Sequence, residues 1–381
     1  MGLSSLVRPA SWLRRPWKPL ALAKSNFTKL LATKKIEEEA MPGYVAKRYY
    51  SARIGEIFED RYQVIGKLGY GATSTVWLAR DMHKPTAHPG RPAIRSLLGR
   101  FNVDGPVDTH QCLIHVPLWE NVWTFLHRNP IQRLPTPVLA FVLRRVFLAL
   151  DYLHTECHII HTDIKADNIM FEIGDESVLH DFERGELQHS SLRKELDGRI
   201  IYESRELGMP KKMGAPVLCD LGSAVIGDTK HLEDVQPNIY RAPEVILEVP
   251  WTYSIDIWNV GCMIWDIFEG GSLFTGRDPE SQTYRSRAHL AEMIDILGPP
   301  PPSLIAQGQL SPKFFDEKGI FLVESLLLER TTLERRETNL DGPDQADFLR
   351  FVRRMLQWDP TKCSSAKSLA EDTWILKQLQ S

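Results

Sequence analysis

The chain has 381 residues, 43% of them hydrophobic and 25% charged, with a net charge of −3. That length holds one large two-lobed domain or two ordinary ones, and the near-neutral charge excludes a general polyanion binder. Five scattered cysteines (Cys112, Cys157, Cys219, Cys262 and Cys363) form no CxxC pair, and no apolar run is long enough to span a bilayer. These features exclude a structural zinc site and point to a soluble intracellular protein with free thiols.

Residues 1–36 contain no Asp or Glu, while Arg8, Arg14, Arg15, Lys18, Lys24, Lys29, Lys34 and Lys35 alternate with apolar residues. A mitochondrial presequence and a disordered basic tail both read this way. Glu37-Glu38-Glu39 then breaks the composition. Residues 1–52 are expected to be tail and linker, outside the fold.

Arg61-Tyr62-Gln63-Val64-Ile65-Gly66-Lys67-Leu68 reads as a strand entering a glycine turn, and Val76-Trp77-Leu78-Ala79 as the returning strand. Such a hairpin can cover nucleotide phosphates with its backbone N–H groups. Leu68, Gly69, Gly71, Ser74 (in place of a third glycine) and Val76 are then the nucleotide-binding candidates; alone, the pattern equally suits a structural hairpin. Lys84 lies between His83 and Pro85, with no apolar alternation, and reads as a loop residue. Two further strands are expected at Ala93–Phe101 and Gln111–Val116, with residues 115–118 at the edge of a base-binding site.

Thr136–Glu156 has the apolar spacing of a buried helix. It leads to His161-Thr162-Asp163-Ile164-Lys165-Ala166-Asp167-Asn168. Phosphoryl transfer asks for a carboxylate to take a hydroxyl proton, a lysine two residues on to meet the phosphoryl group, and an asparagine five residues on to hold a metal ion. Asp163, Lys165 and Asn168 fall at those offsets. A strand follows at Ile169–Phe171, then an insertion over residues 174–214, read as a tolerated surface loop or a partner-docking element. The short strand Pro216–Cys219 ends at Asp220, a second metal-ligand candidate in Asp220-Leu221-Gly222. Ala242-Pro243-Glu244 and an apolar helix from Ser254 through Phe268 complete the order, with Asp256 placed either to bond the backbone of the 161–168 loop, the reading the motif order favours, or to serve only as an early-turn acid.

LGYGATSTVWLARD (68–81), HTDIKADNIM (161–170), DLGSA (220–224), YRAPEVIL (240–247), SIDIWNVGC (254–262) and HLAEMIDILGPPP (289–301) together resemble eukaryotic protein kinases. Within them the chain is similar to the serine/arginine-rich splicing-factor (SR-protein) kinases of the CMGC group, in a fungal-type form. The resemblance implies an α+β, bilobal fold with a small β lobe (53–118, incomplete here) and a large, mainly α-helical lobe (119–376). It implies ATP and Mg2+, a monomer, and serine/threonine phosphorylation of arginine/serine-rich proteins in cytoplasm and nucleus, without direct nucleic-acid or membrane binding. Carried over, Asp163 is the proton acceptor, Lys165 contacts the phosphoryl group, and Asn168 and Asp220 hold metal.

Three departures stand out. Between Asp81 and Ile94 there is no room for the strand lysine and helix glutamate that clamp nucleotide phosphates in this family. Thr162 takes the place of an arginine that pairs with an activation-segment phosphate. Cys363 stands where the family has an arginine that pairs with Glu244, leaving Lys362 as the nearest substitute. The leading reading is a serine/threonine kinase; the alternatives are a catalytically impaired pseudokinase scaffold, or the product of an incomplete gene model that lacks the lysine strand.

Overall fold

The computed structural model describes residues 19–380, apart from 23–28, 32, 59, 61, 72–73, 83–92, 106–107, 129, 197 and 328–330. In chain order come strands β1 (Ile57–Phe58), β2 (Tyr62–Tyr70), β3 (Thr75–Asp81), β4 (Leu97–Asp104), β5 (Thr109–His115) and β6 (Leu118–Asn121). Helices α1 (Val122–Arg128) and α2 (Thr136–Thr155) follow, then β7 (Ile159–Ile160) and β8 (Ile169–Ile173). Helix α3 (Ser177–Gln188) precedes β9 (Arg193–Leu196), β10 (Arg199–Tyr202), β11 (Met213–Leu218) and β12 (Val225–Ile226). The remainder is helical: α4 (Pro243–Ile246), α5 (Ser254–Ile264), α6 (Ser286–Leu297), α7 (Pro302–Gln307), α8 (Leu333–Arg336), α9 (Gly342–Arg353), α10 (Ala366–Ala370) and α11 (Thr373–Gln378).

The chain divides into two compact units, one rich in strands and one mainly helical, in keeping with the α+β class. The first gathers the described residues of Met1–Arg91 with Ser96–Trp119 and Ile173–Gly214. Its centre is the antiparallel sheet β1-β2-β3, in which Tyr62 pairs with Asp81 and Tyr70 with Thr75. Residues 62–67 are buried without alternation, the mark of a strand covered on both faces. The β4–β5 hairpin supplies part of the cover, with Phe101 stacked on Tyr62 at 6.2 Å between ring centroids. Helix α3 supplies more: its buried Val178, Phe182 and Glu186 recur at four-residue spacing on one face, and Phe182 lies directly on Gly66.

Two expectations are corrected here. The 174–214 insertion is not a surface loop; it forms α3 and the antiparallel β9–β10 hairpin, because Phe182 needs cover and Gly66 leaves space for its ring. The residues expected as tail are also not all outside the fold. Leu30 N–H donates to the Arg193 carbonyl at 3.0 Å, the Gln63 amide exchanges two hydrogen bonds with the Leu20 backbone, and Ile36, Tyr49 and Ala52 are buried.

The second unit is built on α2 and α5. Leu139, Val142, Leu143, Val146, Leu150 and Leu153 of α2 are buried, as their period requires, and Phe147 meets Phe351 of α9 edge-on at 6.1 Å. Helix α5 is buried all round from Ile255 to Ile264, the pattern of a core helix. It continues as a π-helical turn, Trp265–Glu269, closed by Gly270 at φ +77°. The Ile267 carbonyl accepts from Leu134 N–H at 2.9 Å. A three-stranded sheet in the order β11-β8-β6 and the pair β12–β7 flank the loop that follows β7. Among the described residues no helix is long and apolar enough to cross a membrane.

Candidate active site

In the second unit the 161–168 loop hangs from one buried carboxylate. Asp256, in the first turn of α5, accepts Thr162 N–H at Oδ1 and His161 N–H at Oδ2, each at 2.8 Å. His154 Nε2 of α2 meets Oδ2 at 2.9 Å. The role expected for Asp256 is the one observed. It holds Thr162 at φ +69°, a left-handed conformation that a β-branched residue adopts only when its surroundings impose it. The Thr162 hydroxyl donates to the Ser223 carbonyl at 3.0 Å.

His161 ties this loop to the chain before Asp220. Asp163 N–H donates to its Nδ1 at 3.3 Å, so the ring proton sits on Nε2, which donates to the Cys219 carbonyl at 3.0 Å. Cys219 N–H in turn donates to the Asn168 carbonyl at 2.8 Å. Three of the expected residues converge directly: Lys165 Nζ and Asn168 Nδ2 both donate to Asp163 Oδ2 at 2.9 Å, and Asn168 Nδ2 also reaches the Asp163 carbonyl at 2.8 Å. Two donors on Oδ2 fix the carboxylate and, among the described residues, leave Oδ1 as its open acceptor. Because Asn168 spends its NH2 on Asp163, its Oδ1 is left as an acceptor for a hard cation. Asp220 follows β11 at φ +61°, is exposed, and accepts Gly222 N–H at Oδ1 from 3.2 Å. An amide oxygen and an exposed carboxylate fit Mg2+, which takes few protein ligands and completes its shell with water and phosphate oxygens.

In the first unit Leu68, Gly69, Gly71, Ser74 and Val76 gather at the turn end of the β2–β3 hairpin. Gly69 pairs with Val76, and Gly71 N–H closes the turn on the Ser74 carbonyl at 2.8 Å. Leu68 and Gly69 are half-buried, whereas Ser74 and Val76 are exposed. Lys84 lies outside the described residues. The sequence reading missed a strand–helix ion pair: Arg80 of β3 meets Glu183 of α3 at 3.0 Å, both largely shielded from solvent. Its sequence signal was the helical spacing of Val178, Phe182 and Glu186 inside the insertion.

Glu244 is fully buried, and burial pushes its carboxyl up to about 7. Its side-chain hydrogen bond comes from the Ser254 hydroxyl at 3.1 Å. The Cys363 thiol is pushed up to about 12, by burial first and by Glu244 second. Lys362 is exposed and lies 3.8 Å from Asp359, so it does not substitute for the missing arginine.

A family model described as the protein kinase domain matches residues 119–375. The chain is 38% identical to a serine/threonine protein kinase of Aspergillus fumigatus, over 95% of this chain and 96% of that one. That alignment runs over 395 positions, more than the 381 residues present here, so the relative carries residues this chain lacks. The serine/threonine-protein kinase SRPK of Physarum polycephalum is 28% identical, over 89% of this chain and 91% of that one. Human SRSF protein kinase 3 is 22% identical, over 91% and 92%. A crystal structure of a kinase domain matches with a TM-score of 0.64 at 21% identity, covering 86% of this chain and 99% of that one, a likeness of fold.

Proposed function

The chain belongs to the protein kinase domain family and is a serine/threonine protein kinase similar to the SR-protein kinases; from that premise we propose how its residues divide the work. The small lobe is centred on 53–118, with the segment before it and residues 173–214 gathered into the same unit, and the large lobe takes the rest of 119–376. Asp163 takes the proton of the substrate hydroxyl as its oxygen bonds to the terminal phosphorus of ATP and the bond to ADP breaks. Lys165 neutralises the moving phosphoryl group, and Asn168 and Asp220 hold Mg2+. Mg2+, when bound, screens the phosphate charge. Leu68, Gly69, Gly71, Ser74 and Val76 cover the nucleotide. The observation that carries this reading is the Asp163 carboxylate, oriented by Lys165 and Asn168 with one oxygen left open.

Its protein substrates are proposed to be arginine/serine-rich, on the resemblance of the motifs and the names of the relatives, and the enzyme to act as a monomer in cytoplasm and nucleus. Transfer is expected to be slow, because the sequence between Asp81 and Ile94 leaves no room for a strand lysine and a glutamate helix. The test is transfer of labelled phosphate from MgATP to an arginine/serine-repeat peptide and to an acidic serine peptide. Label on the repeat peptide that Asp163→Asn abolishes supports the reading. Equal label with wild type and variant, or equal use of both peptides, overturns the catalytic or the substrate part respectively.

A further inference from the structure

Glu37-Glu38-Glu39, read from sequence as a mere break in composition, is engaged residue by residue inside the first unit. Glu37 accepts Ser204 N–H at 3.0 Å and its hydroxyl at 2.9 Å, and lies 3.5 Å from Lys67 Nζ. Glu38 is bonded directly to Lys67 and lies 3.8 Å from Arg199. Glu39 pairs with Lys194 at 2.6 Å and caps Ile36 N–H at 3.0 Å. Lys67 and Lys194 are each only 1% exposed at the side chain. A buried ammonium needs a counter-ion, and this triad supplies one to each lysine. Lys67 belongs to β2, two residues before Gly69, and Lys194 to β9 of the insertion. Arg205 N–H adds a bond to the Lys67 carbonyl at 3.0 Å. Arg199 of β10 grips the carbonyls of Ala46 and Tyr49, and the Tyr49 hydroxyl donates to the carbonyl of Gly71 at 3.3 Å.

We propose that residues 36–49 are an internal latch: Glu37–Glu39 join the insertion to β2, and Tyr49 takes hold of the turn, so that this segment positions the hairpin that covers the nucleotide. Glu38, Glu39 and Tyr49 are thereby positioning residues for phosphoryl transfer. The proposal rests on the hairpin being the nucleotide cover. A cut that removed the segment as a leader would release the hairpin.

The experiment uses the full chain and compares Glu38→Gln, Glu39→Lys, the exchange Glu39→Lys with Lys194→Glu, and Tyr49→Phe. Expected is a rise of about tenfold in KM for MgATP with little change in kcat for the first two. Recovery toward wild type is expected in the exchange, and a smaller rise in Tyr49→Phe. A role in packing alone would lower Tm and leave KM where it was, and unchanged KM in the folded variants overturns the latch. Should a charge variant fail to fold, Tyr49→Phe, which removes a single hydroxyl, gives the same readout. If wild type binds no MgATP, the nucleotide reading fails by itself, and hydrogen exchange of the β2 amides decides the latch. Faster exchange in Glu39→Lys that the exchange variant reverses supports it; equal exchange in all variants overturns it.

Discussion

Glu244→Gln isolates the consequence of placing a cysteine where the resemblance expects an arginine. The Glu244 carboxyl stands at about 7 in the folded chain against an ordinary 4.5. Its folded value is raised, so the folded state binds the extra proton between those two values. The charged form is therefore penalised as pH climbs: stability is intact below about pH 4.5 and declines through pH 7, for a loss of about 3 kcal/mol. For a folding unit of this size that is roughly 6–12 °C in Tm. Thermal unfolding by circular dichroism at pH 5, 6, 7 and 8 should show wild type losing Tm across this range. Glu244→Gln keeps the shape and the bond from Ser254 without the charge, and should show a shallower fall and a higher Tm at pH 8. Cys363→Arg, which brings a guanidinium beside Glu244, should flatten the profile from the other side. The same pH dependence in wild type and Glu244→Gln would refute the argument.

Three further outcomes follow from single contacts. Asp163→Asn should lower the turnover for phosphate transfer by about 10²–10⁴-fold, the usual worth of a positioned base, with little change in KM for ATP; steady-state kinetics check both. A Cβ on Gly66 would lie 2.8 Å from the Phe182 ring, so Gly66→Ala should cost about 1–3 kcal/mol by overpacking; urea unfolding should show part of that loss recovered by Phe182→Leu in the same chain. Asp256→Ala leaves the His161 and Thr162 N–H groups buried without their acceptor; at about 1–3 kcal/mol for each unsatisfied group, the urea midpoint should fall and the amides of the 161–168 loop should exchange faster.

How far the site could be read ahead differs between its halves. The convergence within HTDIKADN was legible because its polar residues lie within five positions of one another, and a short loop has few ways to bring Asp163, Lys165 and Asn168 together. Asp256 was legible too, because the order of the motifs around it is the one the resemblance expects. The fate of Glu244 was half legible: the missing arginine shows in the sequence, but that Lys362 turns to Asp359 instead depends on where the backbone points.

The insertion and the segment before residue 50 escaped because their meaning lies in contacts far apart in the chain. A run of three glutamates is compositionally a solvated acidic stretch, and nothing in the sequence marks Lys67 or Lys194 as buried. Burial reverses both, since an ammonium drawn out of water needs a carboxylate beside it and nothing local says which one will arrive. The amino-acid sequence by itself determined the family, the order of the motifs and the offsets within the 161–168 loop, all set by short-range spacing. Only the tertiary structure decided that Phe182 covers Gly66, that Arg80 meets Glu183, and that Glu37–Glu39 belong to the fold, because long-range packing and the desolvation of charge are settled when distant segments meet.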